Sequence, residues 1–542
     1  MNSAHSAVVK GSDLSQTEKR LLFWASFLSL TAAGFGFAFR VAKQGTYGTA
    51  FKLSEQEVGQ VFGASLWPIA ITMIGFSLIV DRTGYKLPMY GALILQAASG
   101  VGTFFAESHT ALYIFALCAG LGHGIVEAVI NPICAAVYPR EKTKWLTILH
   151  AAWPAGLVGG TLLIIMTESI FQDWRIHALW ILLPVLAYGV MYLRCRFPVD
   201  ERVQAGVPYI DMLRQVGFLG AALASFMVIY EIGNQVDSLT DWVKPDNWFS
   251  LSLYIGLGVG VAFGAVVRSI GQPLFFLMCV LMIPVATAEL GTDGWIKGLM
   301  TPVLKDMAIN PAFALVFSAF IMLFFRVFAG RILGFFNPPT LLCLSGVFSA
   351  VGLWWLSGAT GIAIFVAFVL YAIGQTYYWP CVLGFTAERY PRGGALTLNT
   401  VSAIGLLAAG VVGTPILGAA FDRSIQPAVE EGAPALAEAS TKEAGFMWMK
   451  HEAIDPKEAT AFIDAERAEE GLPARNWDND PPEDYKRSTS EEVYAEGKDV
   501  AGRDVLQFAA IFPAILFVVF GLIALYFKSR GGYKPIILGE QE

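Results

Sequence analysis

Three polar side chains lie four residues apart in an otherwise apolar stretch of the chain. His123, Glu127 and Asn131 share one face of a helix, because residues four apart are neighbours on a helix surface. An ionisable side chain in such surroundings is costly and marks a candidate functional site. Glu127 could take up a proton if it stands alone, or stay ionised if a base such as Arg40 reaches it. The alternatives to a functional role are a structural ion pair for Glu127 and ordinary helix packing for His123.

Other polar and aromatic side chains in apolar stretches could bind a polar ligand. Aromatic rings pack on the CH groups of sugars, and Tyr and Trp each add a hydrogen-bond donor. An arginine in such a place would suit an acidic ligand, and its alternative is to extend its charged end to water. Ordinary packing is the alternative for each aromatic residue. The candidates of this kind are Arg40, His150, Trp153, Gln375, Tyr378 and Trp379.

Helices that cross a membrane must position these residues. Hydrophobic residues make up 55% of the 542 residues, charged residues make up 15%, and the mean hydropathy is +0.55. A soluble protein has about a quarter charged residues, and apolar runs of about 20 residues cross the bilayer as helices. We predict an all-α integral membrane protein with fourteen spans, near residues 21–40, 57–80, 87–106, 111–137, 145–167, 175–194, 209–231, 249–271, 273–289, 311–333, 340–357, 361–387, 394–420 and 505–527.

Lys and Arg are concentrated in alternate connections between the predicted spans. This bias is typical of loops on the cytoplasmic side. The stretches before the first span and after the last are both basic, so we expect both termini in the cytoplasm. The expected location is the bacterial inner (plasma) membrane.

The chain repeats itself and is interrupted by two insertions. Residues 122–139 and 374–391 both begin with glycine and end with Tyr-Pro, which indicates two similar halves. Residues 424–503 carry 19 acidic and 9 basic residues and predict an irregular acidic loop around one short helix, with Asp455 before it and Gly471 after it. We predict an N-terminal six-helix bundle at 1–200, an inserted two-helix hairpin at 201–272, and a C-terminal six-helix bundle at 273–542 containing an extracytoplasmic loop at 424–503.

The connection after the second predicted span carries a recognisable motif. Residues 75–86 read GFSLIVDRTGYK, which resembles the signature loop of the major facilitator superfamily. The resemblance implies two six-helix bundles that rock about a central site. An acid at a helix end can pair with basic groups on the neighbouring bundle and so hold one state. The expected conformational latch comprises Asp81, Arg82, Gly84 and, at the corresponding place in the second half, Arg326.

A second resemblance concerns the stretch from Glu127 to Gly160. It contains EAVINP and KWLTILHAAWPAGLVGG, and it is similar to the fucose–proton symporter branch, which has an Asn-Pro in its fourth helix. The resemblance implies a monosaccharide ligand, proton coupling at Glu127 with His123 beside it, and a sugar hydrogen bond from Asn131. Arg40 stands where that branch has an acid.

Taken together, these features predict a secondary transporter rather than an enzyme. No P-loop, dinucleotide fingerprint, metal-ligand cluster or nucleophile–base set is visible, so we expect no cofactor and no metal. The expected partners are a small polar solute, a coupling cation (most simply a proton) and the lipid bilayer, without nucleic acid. The alternatives are an organic-anion carrier or exporter of the same fold, and a transporter-like sensor whose acidic loop binds an unidentified protein.

Overall fold

The chain is largely helical in its computed structural model. The structure describes residues 9–53, 55–240, 242–293, 295–296, 300, 304, 307, 313–446, 449–473, 475 and 485–539. Within these residues, twelve helical segments are long and apolar enough to cross a membrane. Two more helices, Lys86–Phe104 and Phe313–Val327, coincide with the remaining predicted spans. Every predicted span therefore falls on one helix or on a consecutive pair, and the all-α membrane class is confirmed.

The first six spans are built from nine helices, because three of the spans are broken, and a tenth short helix follows the sixth span. Pro68 follows the break in the second span and Pro154 follows the break in the fifth, as expected where proline removes a helical hydrogen bond. The helices are α1 (Gln16–Phe51), α2 (Glu55–Ala64), α3 (Trp67–Thr83), α4 (Lys86–Phe104), α5 (His109–Val137), α6 (Lys142–Leu149), α7 (Ala152–Thr167), α8 (Trp174–Ala178), α9 (Leu182–Arg194) and α10 (Glu201–Gln204).

Two further helices follow as a closely packed hairpin, α11 (Tyr209–Leu239) and α12 (Trp248–Val267). Gly256, Gly260 and Gly264 face α11, where an added methyl group would lie within 2.8 Å of its atoms. Gly258 points into open space. Gly256, Gly260 and Gly264 therefore form the face through which α12 packs closely on α11.

The start of this hairpin is fixed by a bend in α11. Gly217 has φ +54° and its backbone touches Gly271, whose φ is +94°. Only glycine adopts such angles readily while leaving room for a second backbone. The expected end of α11 was wrong: Glu231 lies inside the helix, because the helix continues to Leu239 and Gln235 donates to the Glu231 carboxylate at 2.8 Å.

The second six-span group repeats the broken pattern of the first. Residues 287–291 and 409–413 form π-helical turns between consecutive helices, and a break precedes Pro380. The helices up to the last loop are α13 (Pro273–Ala286), α14 (Phe313–Val327), α15 (Ala329–Ile332), α16 (Pro338–Gly358), α17 (Ala363–Gln375), α18 (Tyr378–Arg389), α19 (Gly394–Ala408) and α20 (Thr414–Gly432).

The sequence repeat has a counterpart in the backbone. Helix α5 ends at Tyr138 with φ −123° and ψ 60°, and α18 ends at Tyr390 with φ −126° and ψ 49°. In both halves a short turn then leads into the next span. The two groups therefore turn the chain in the same way at equivalent points.

The acidic segment is a folded unit, and the prediction of an irregular loop was wrong for its described part. Helix α20 runs past the apolar span, and α21 (Pro434–Ser440), strands β1 (Thr441–Phe446) and β2 (Met449–Ile454), α22 (Pro456–Glu469) and α23 (Thr489–Ala509) follow before the last span, α24 (Ile511–Ser529). The one helix expected here is α22, capped by the Asp455 side chain and followed by Gly471 at φ +68°. The cluster at 478–482 lies outside the described residues.

The outer unit, residues 424–503, folds because its apolar residues meet in a small core. Ile425, Val429, Leu436, Ile463 and Tyr494 are buried together there. Strands β1 and β2 pair in antiparallel register, with Thr441 opposite Ile454. The high net charge of the segment had hidden this apolar spacing.

A buried arginine ties α22 to the start of α23. Arg467 is fully buried and pairs with Glu491 at 2.6 Å. The Nη1 atom of this pair also donates to the Lys486 carbonyl oxygen, while Nε and Nη2 donate to the Pro473 carbonyl oxygen. The guanidinium lies 4.3 Å from the Tyr485 ring centroid. Every charged group here has a partner, which is the condition for a buried pair to be tolerated.

The Arg467→Ala variant should open this part of the outer unit. Removing one member of a buried ion pair costs about 3 kcal/mol. In this variant Glu491 loses one of its two arginine partners, and the carbonyl oxygens of Pro473 and Lys486 lose their donor. We expect proteinase K to cleave residues 456–503 of the full-length protein more than about tenfold faster. Lys450→Ala, which removes an exposed pair with Glu443, is the control and should change the rate little. Equal cleavage rates for the two variants would contradict the claim that Arg467 ties α22 to the start of α23.

Candidate functional site

The predicted polar stripe on α5 is present, and its members contact one another. The Asn131 amide donates to a Glu127 carboxylate oxygen at 2.8 Å and to the Glu127 carbonyl oxygen at 3.1 Å. The His123 Nε2 atom lies 3.7 Å from the other carboxylate oxygen. Glu127 is 7% exposed, and no Lys or Arg in the described part of the chain pairs with it. An amide and a histidine therefore hold this acid, rather than a permanent positive charge.

The break between α6 and α7 brings two more predicted residues to the stripe. His150 lies in this break and its Nε2 atom is 3.0 Å from the Asn131 side-chain oxygen. Trp153 stacks on His123 with ring centroids 5.1 Å apart and planes 16° apart. Five of the predicted site residues thus form one cluster, with ring faces and hydrogen-bonding atoms side by side.

Arg40 belongs to a different environment from the stripe. Its side chain is 9% exposed, and its guanidinium turns back over Gly36, close to Ile181. It forms no hydrogen bond or ion pair with any described residue, and in particular none with Glu127. Arg40 therefore does not pair with Glu127, and its Nε atom is buried without a hydrogen-bond partner among the described residues. A buried guanidinium without a partner is costly, so a negatively charged ligand group would stabilise it.

The break between α17 and α18 holds three more predicted site residues, Gln375, Tyr378 and Trp379. Gln375 ends α17 and is 1% exposed, with its side-chain oxygen unpaired. The Tyr378 hydroxyl donates to the Ser345 carbonyl oxygen at 3.2 Å, and Trp379 packs against Gly405. No hydrogen bond between described residues joins these three side chains to the α5 cluster. Tyr378 and Trp379 are therefore engaged in packing within the second group.

Arg326, predicted as the latch residue of the second half, lies inside the protein at the end of α14. It is the second-last residue of α14 and is 2% exposed; the exposed arginine of the following turn is Arg331. Its guanidinium pairs with Glu289 at 3.0 Å and donates to the carbonyl oxygens of Thr376 at 2.8 Å and His150 at 3.1 Å. Arg326 therefore links the second group of helices to the break that holds His150.

The predicted latch at the end of α3 is only partly formed as expected. Asp81 pairs with Arg202, which belongs to the connection after the sixth span rather than to the second group. Arg82 is exposed and has no ion pair within the described residues. Gly84 ends α3 at φ +68°, and its N–H donates to the Val80 carbonyl oxygen at 2.8 Å. Arg202 takes this role because α10 buries its side chain beside Asp81.

Asp200 lies next to this pair and caps α10. Its carboxylate accepts hydrogen bonds from the Arg202 backbone N–H at 2.8 Å and from the Tyr85 hydroxyl at 3.1 Å. Burial, and then the neighbouring negative charge of Asp81, raise the pKa of Asp200 from 3.8 to about 6.

Both ends of the described chain lie on one face of the molecule, which we call the terminal face. Val9 bonds there to Val199, and Ile536 bonds to Glu388. Hydrogen bonds across the two groups close this face. Glu388 accepts from the Thr143 N–H at 3.0 Å and from its hydroxyl at 2.6 Å.

Sequence reasoning missed several residues that join the two groups. Asn399 in α19 donates to the Ser77 hydroxyl at 2.8 Å and to the Ala128 carbonyl oxygen at 3.0 Å. Glu289 is an acid inside a predicted span, so the rule that singled out Glu127 would also have found it. Asn399 carries a weaker signal, since a single amide in an apolar run has many possible partners.

The Asp200→Asn variant should make the protein more stable at neutral pH. Because the pKa of Asp200 is raised, the folded state keeps a proton between about pH 4 and 6 that the unfolded state has lost. Stability therefore falls as the pH rises through this range. The neutral amide should increase the free energy of unfolding by about 1–3 kcal/mol at pH 7.5. The melting temperature of the variant should also change less between about pH 4 and 6 than that of the wild type.

Asp173→Asn provides a matched control, because Asp173 also caps a helix but is largely exposed. Its melting temperatures should follow the wild-type profile. An unchanged profile for Asp200→Asn would show that the carboxylate is ionised at no cost.

Solved structures with a similar fold were found by comparison. The proton:xylose symporter XylE of E. coli is 15% identical, with a TM-score of 0.55 over 77% of this chain and 91% of XylE. The E. coli fucose:proton symporter FucP is 11% identical, with a TM-score of 0.53 over 94% of this chain and 98% of FucP. The human organic anion transporter MFSD10 (TETRAN) is 14% identical, with a TM-score of 0.52 over 74% and 94% of the two chains.

The comparison with curated protein sequences gives no match. The family model of the Major Facilitator Superfamily matches residues 22–414, which is more than half of the chain. With this family match, and with twelve described helical segments long and apolar enough to cross a membrane, the chain belongs to the major facilitator superfamily of membrane transporters.

Proposed function

We propose that the chain is a secondary active transporter that couples the movement of a cation, most simply a proton, to symport of a monosaccharide-like solute. The observation that carries this proposal is the Glu127 carboxylate, which is buried in a span and pairs with no Lys or Arg among the described residues. In the proposed cycle Glu127 binds a proton, solute binds beside it, and the two bundles rock to expose the site to either side. The proposed location is the bacterial inner membrane, with the terminal face in the cytoplasm.

The surroundings of Glu127 suit a group that gains and loses a proton. A buried carboxylate without a counter-charge is costly, and protonation removes that cost. His123, 3.7 Å from the carboxylate, is the second group in reach of the same proton. The Asn131 amide can donate to the ionised acid, and it can also turn its oxygen toward the protonated form.

The cluster also offers the groups that a sugar needs. Asn131 and His150, which bond to each other in this structure, carry donors and acceptors for hydroxyl groups, and the Trp153 ring, which stacks on His123, carries apolar surface for the CH groups of a pyranose. Gln375 has an unpaired side-chain oxygen in the second bundle, which makes it the best candidate on that side. The likeness to xylose and fucose symporters supports a solute of this class.

A Glu127→Gln variant should lose accumulation but keep exchange. In proteoliposomes containing the wild-type protein, an inward proton gradient should stimulate uptake of one labelled monosaccharide from a panel of sugars and sugar acids. The amide resembles the protonated acid, so the variant should still exchange this sugar down its gradient, while uphill accumulation falls by about tenfold or more.

Glu231→Gln is the matched control, since Glu231 is an acid of the hairpin that bonds to Gln235 and lies outside the cluster. It should accumulate sugar as the wild type does. Uphill accumulation that survives in Glu127→Gln would remove Glu127 as the coupling group.

Transport of an organic acid is the second candidate function. It is favoured by Arg40, whose buried guanidinium has no partner among the described residues. A carboxylate on the solute would supply the missing negative charge. The fold is also shared with a human organic anion transporter.

Arg40→Ala should therefore abolish any preference for acidic over neutral solutes. If sugar acids are carried, we expect the ratio of their uptake to that of the matching neutral sugar to fall by about tenfold, the loss expected for one charged hydrogen bond. Arg40→Lys retains the charge and should keep part of the preference. The ratio is measured in the same proteoliposome assay, and an unchanged ratio in Arg40→Ala would exclude Arg40 from solute binding.

A further inference from the structure

Two broken helices leave backbone carbonyl oxygens without their usual partners. In an α-helix each carbonyl oxygen accepts from the N–H four residues later, and proline has no N–H. Pro154 stands four residues after His150, and Pro380 stands four residues after Thr376. In a membrane interior such oxygen atoms need another donor.

Arg326 supplies a donor to both of these carbonyl oxygens. Its Nε atom donates to Thr376 at 2.8 Å and its Nη1 atom donates to His150 at 3.1 Å. Its Nη2 atom donates to Glu289 at 3.0 Å, which balances the charge. A planar guanidinium can serve three acceptors at once, which a lysine ammonium on a flexible stem does poorly.

The three contacts differ in which bundle they belong to. Glu289, Arg326 and Thr376 all lie in the second bundle, while His150 lies in the first. When the bundles separate at the terminal face, Arg326 can keep Glu289 and Thr376 and must lose His150. The charge of Arg326 stays compensated in both states, so only one hydrogen bond is exchanged for water.

His150 also connects this contact with the coupling group. Its ring bonds to Asn131, which bonds to Glu127, so a short chain of hydrogen bonds runs from the carboxylate to the Arg326 contact. A change in the protonation of Glu127 alters what the Asn131 amide bonds to, and thereby the position of the α6–α7 break.

We infer that Arg326 is a gating residue of the transport cycle. It holds the first bundle closed against the second at the terminal face through the His150 carbonyl oxygen, and it releases this oxygen when the face opens. Arg326 is thus a positioning residue, and it is distinct from the residues that bind solute. This inference rests on the proposed alternating-access cycle but is independent of the solute and the coupling ion.

A native thiol can report opening of this face. Cys381 in α18 is fully buried beside Thr147 of α6, at the contact between the bundles. In full-length detergent-solubilised protein with Cys381 as its only cysteine, we expect Arg326→Gln to increase the rate of labelling by a hydrophilic maleimide about threefold or more. The reason is that the open state becomes more populated when the contact with His150 is lost.

Two controls separate gating from loss of structure. Arg331→Gln removes a neighbouring, exposed arginine and should leave Cys381 labelling unchanged. Cys279 is fully buried within the second bundle, and as the only cysteine it should stay equally slow to label with or without Arg326→Gln. Equal labelling of Cys381 in Arg326→Gln and its parent would overturn the inference, as would a matching increase at Cys279.

The conservative variant distinguishes the gate from a purely structural charge. Arg326→Lys keeps a positive charge for Glu289 but cannot span both carbonyl oxygens. We therefore expect a melting temperature close to that of the parent protein, while Cys381 is still labelled faster than in the parent. Parent-like labelling in this variant would show that charge alone matters and would count against the gate. Since no solute is needed, unchanged labelling combined with proton-coupled uptake would refute the gate and leave the proposed function intact.

Discussion

A backbone carbonyl oxygen inside a membrane needs a hydrogen-bond donor, and a proline four residues later in the helix withholds the usual one. Pro132, Pro154 and Pro380 each deprive the residue four positions earlier of its N–H partner. The three freed oxygens accept from Asn399 or Arg326. Two of these three bonds cross between the bundles. Local breaks in single helices therefore contribute to the contact between the bundles, beside hydrogen bonds such as those of Glu388 with Thr143.

In the transport cycle proposed above, the same breaks contribute to the balance between closed and open states. While the terminal face is closed, protein side chains must satisfy the freed oxygens, because water is excluded. Once it opens, water can take over, and exchange of a protein hydrogen bond for one to water changes the free energy by only about 1 kcal/mol. Two states so close in energy are what a rocking transporter needs, since a proton or a solute can then shift the population.

The sequence predicts the parts that depend on local pattern. Long apolar runs located the spans, and four-residue spacing placed His123, Glu127 and Asn131 on one face, where the structure has them. Partners brought from distant parts of the chain were beyond reach. The position of Pro154, four residues after His150, predicts that the His150 carbonyl oxygen lacks its helical donor. Only the packing of α14 against α7 shows that Arg326 donates to it. The outer unit was misread because its charge dominates its composition, while a few spaced apolar residues build its core.

The attachment of the outer unit has a practical consequence. It grows out of α20 and leads through α23 into the last span, so two helical connections join it to the second bundle. A rotation of that bundle must carry the outer unit with it. A small tilt of the second bundle within the bilayer would therefore displace the outer unit by a larger distance in water. A fluorophore pair or a bound antibody fragment on the outer unit would record this displacement in real time.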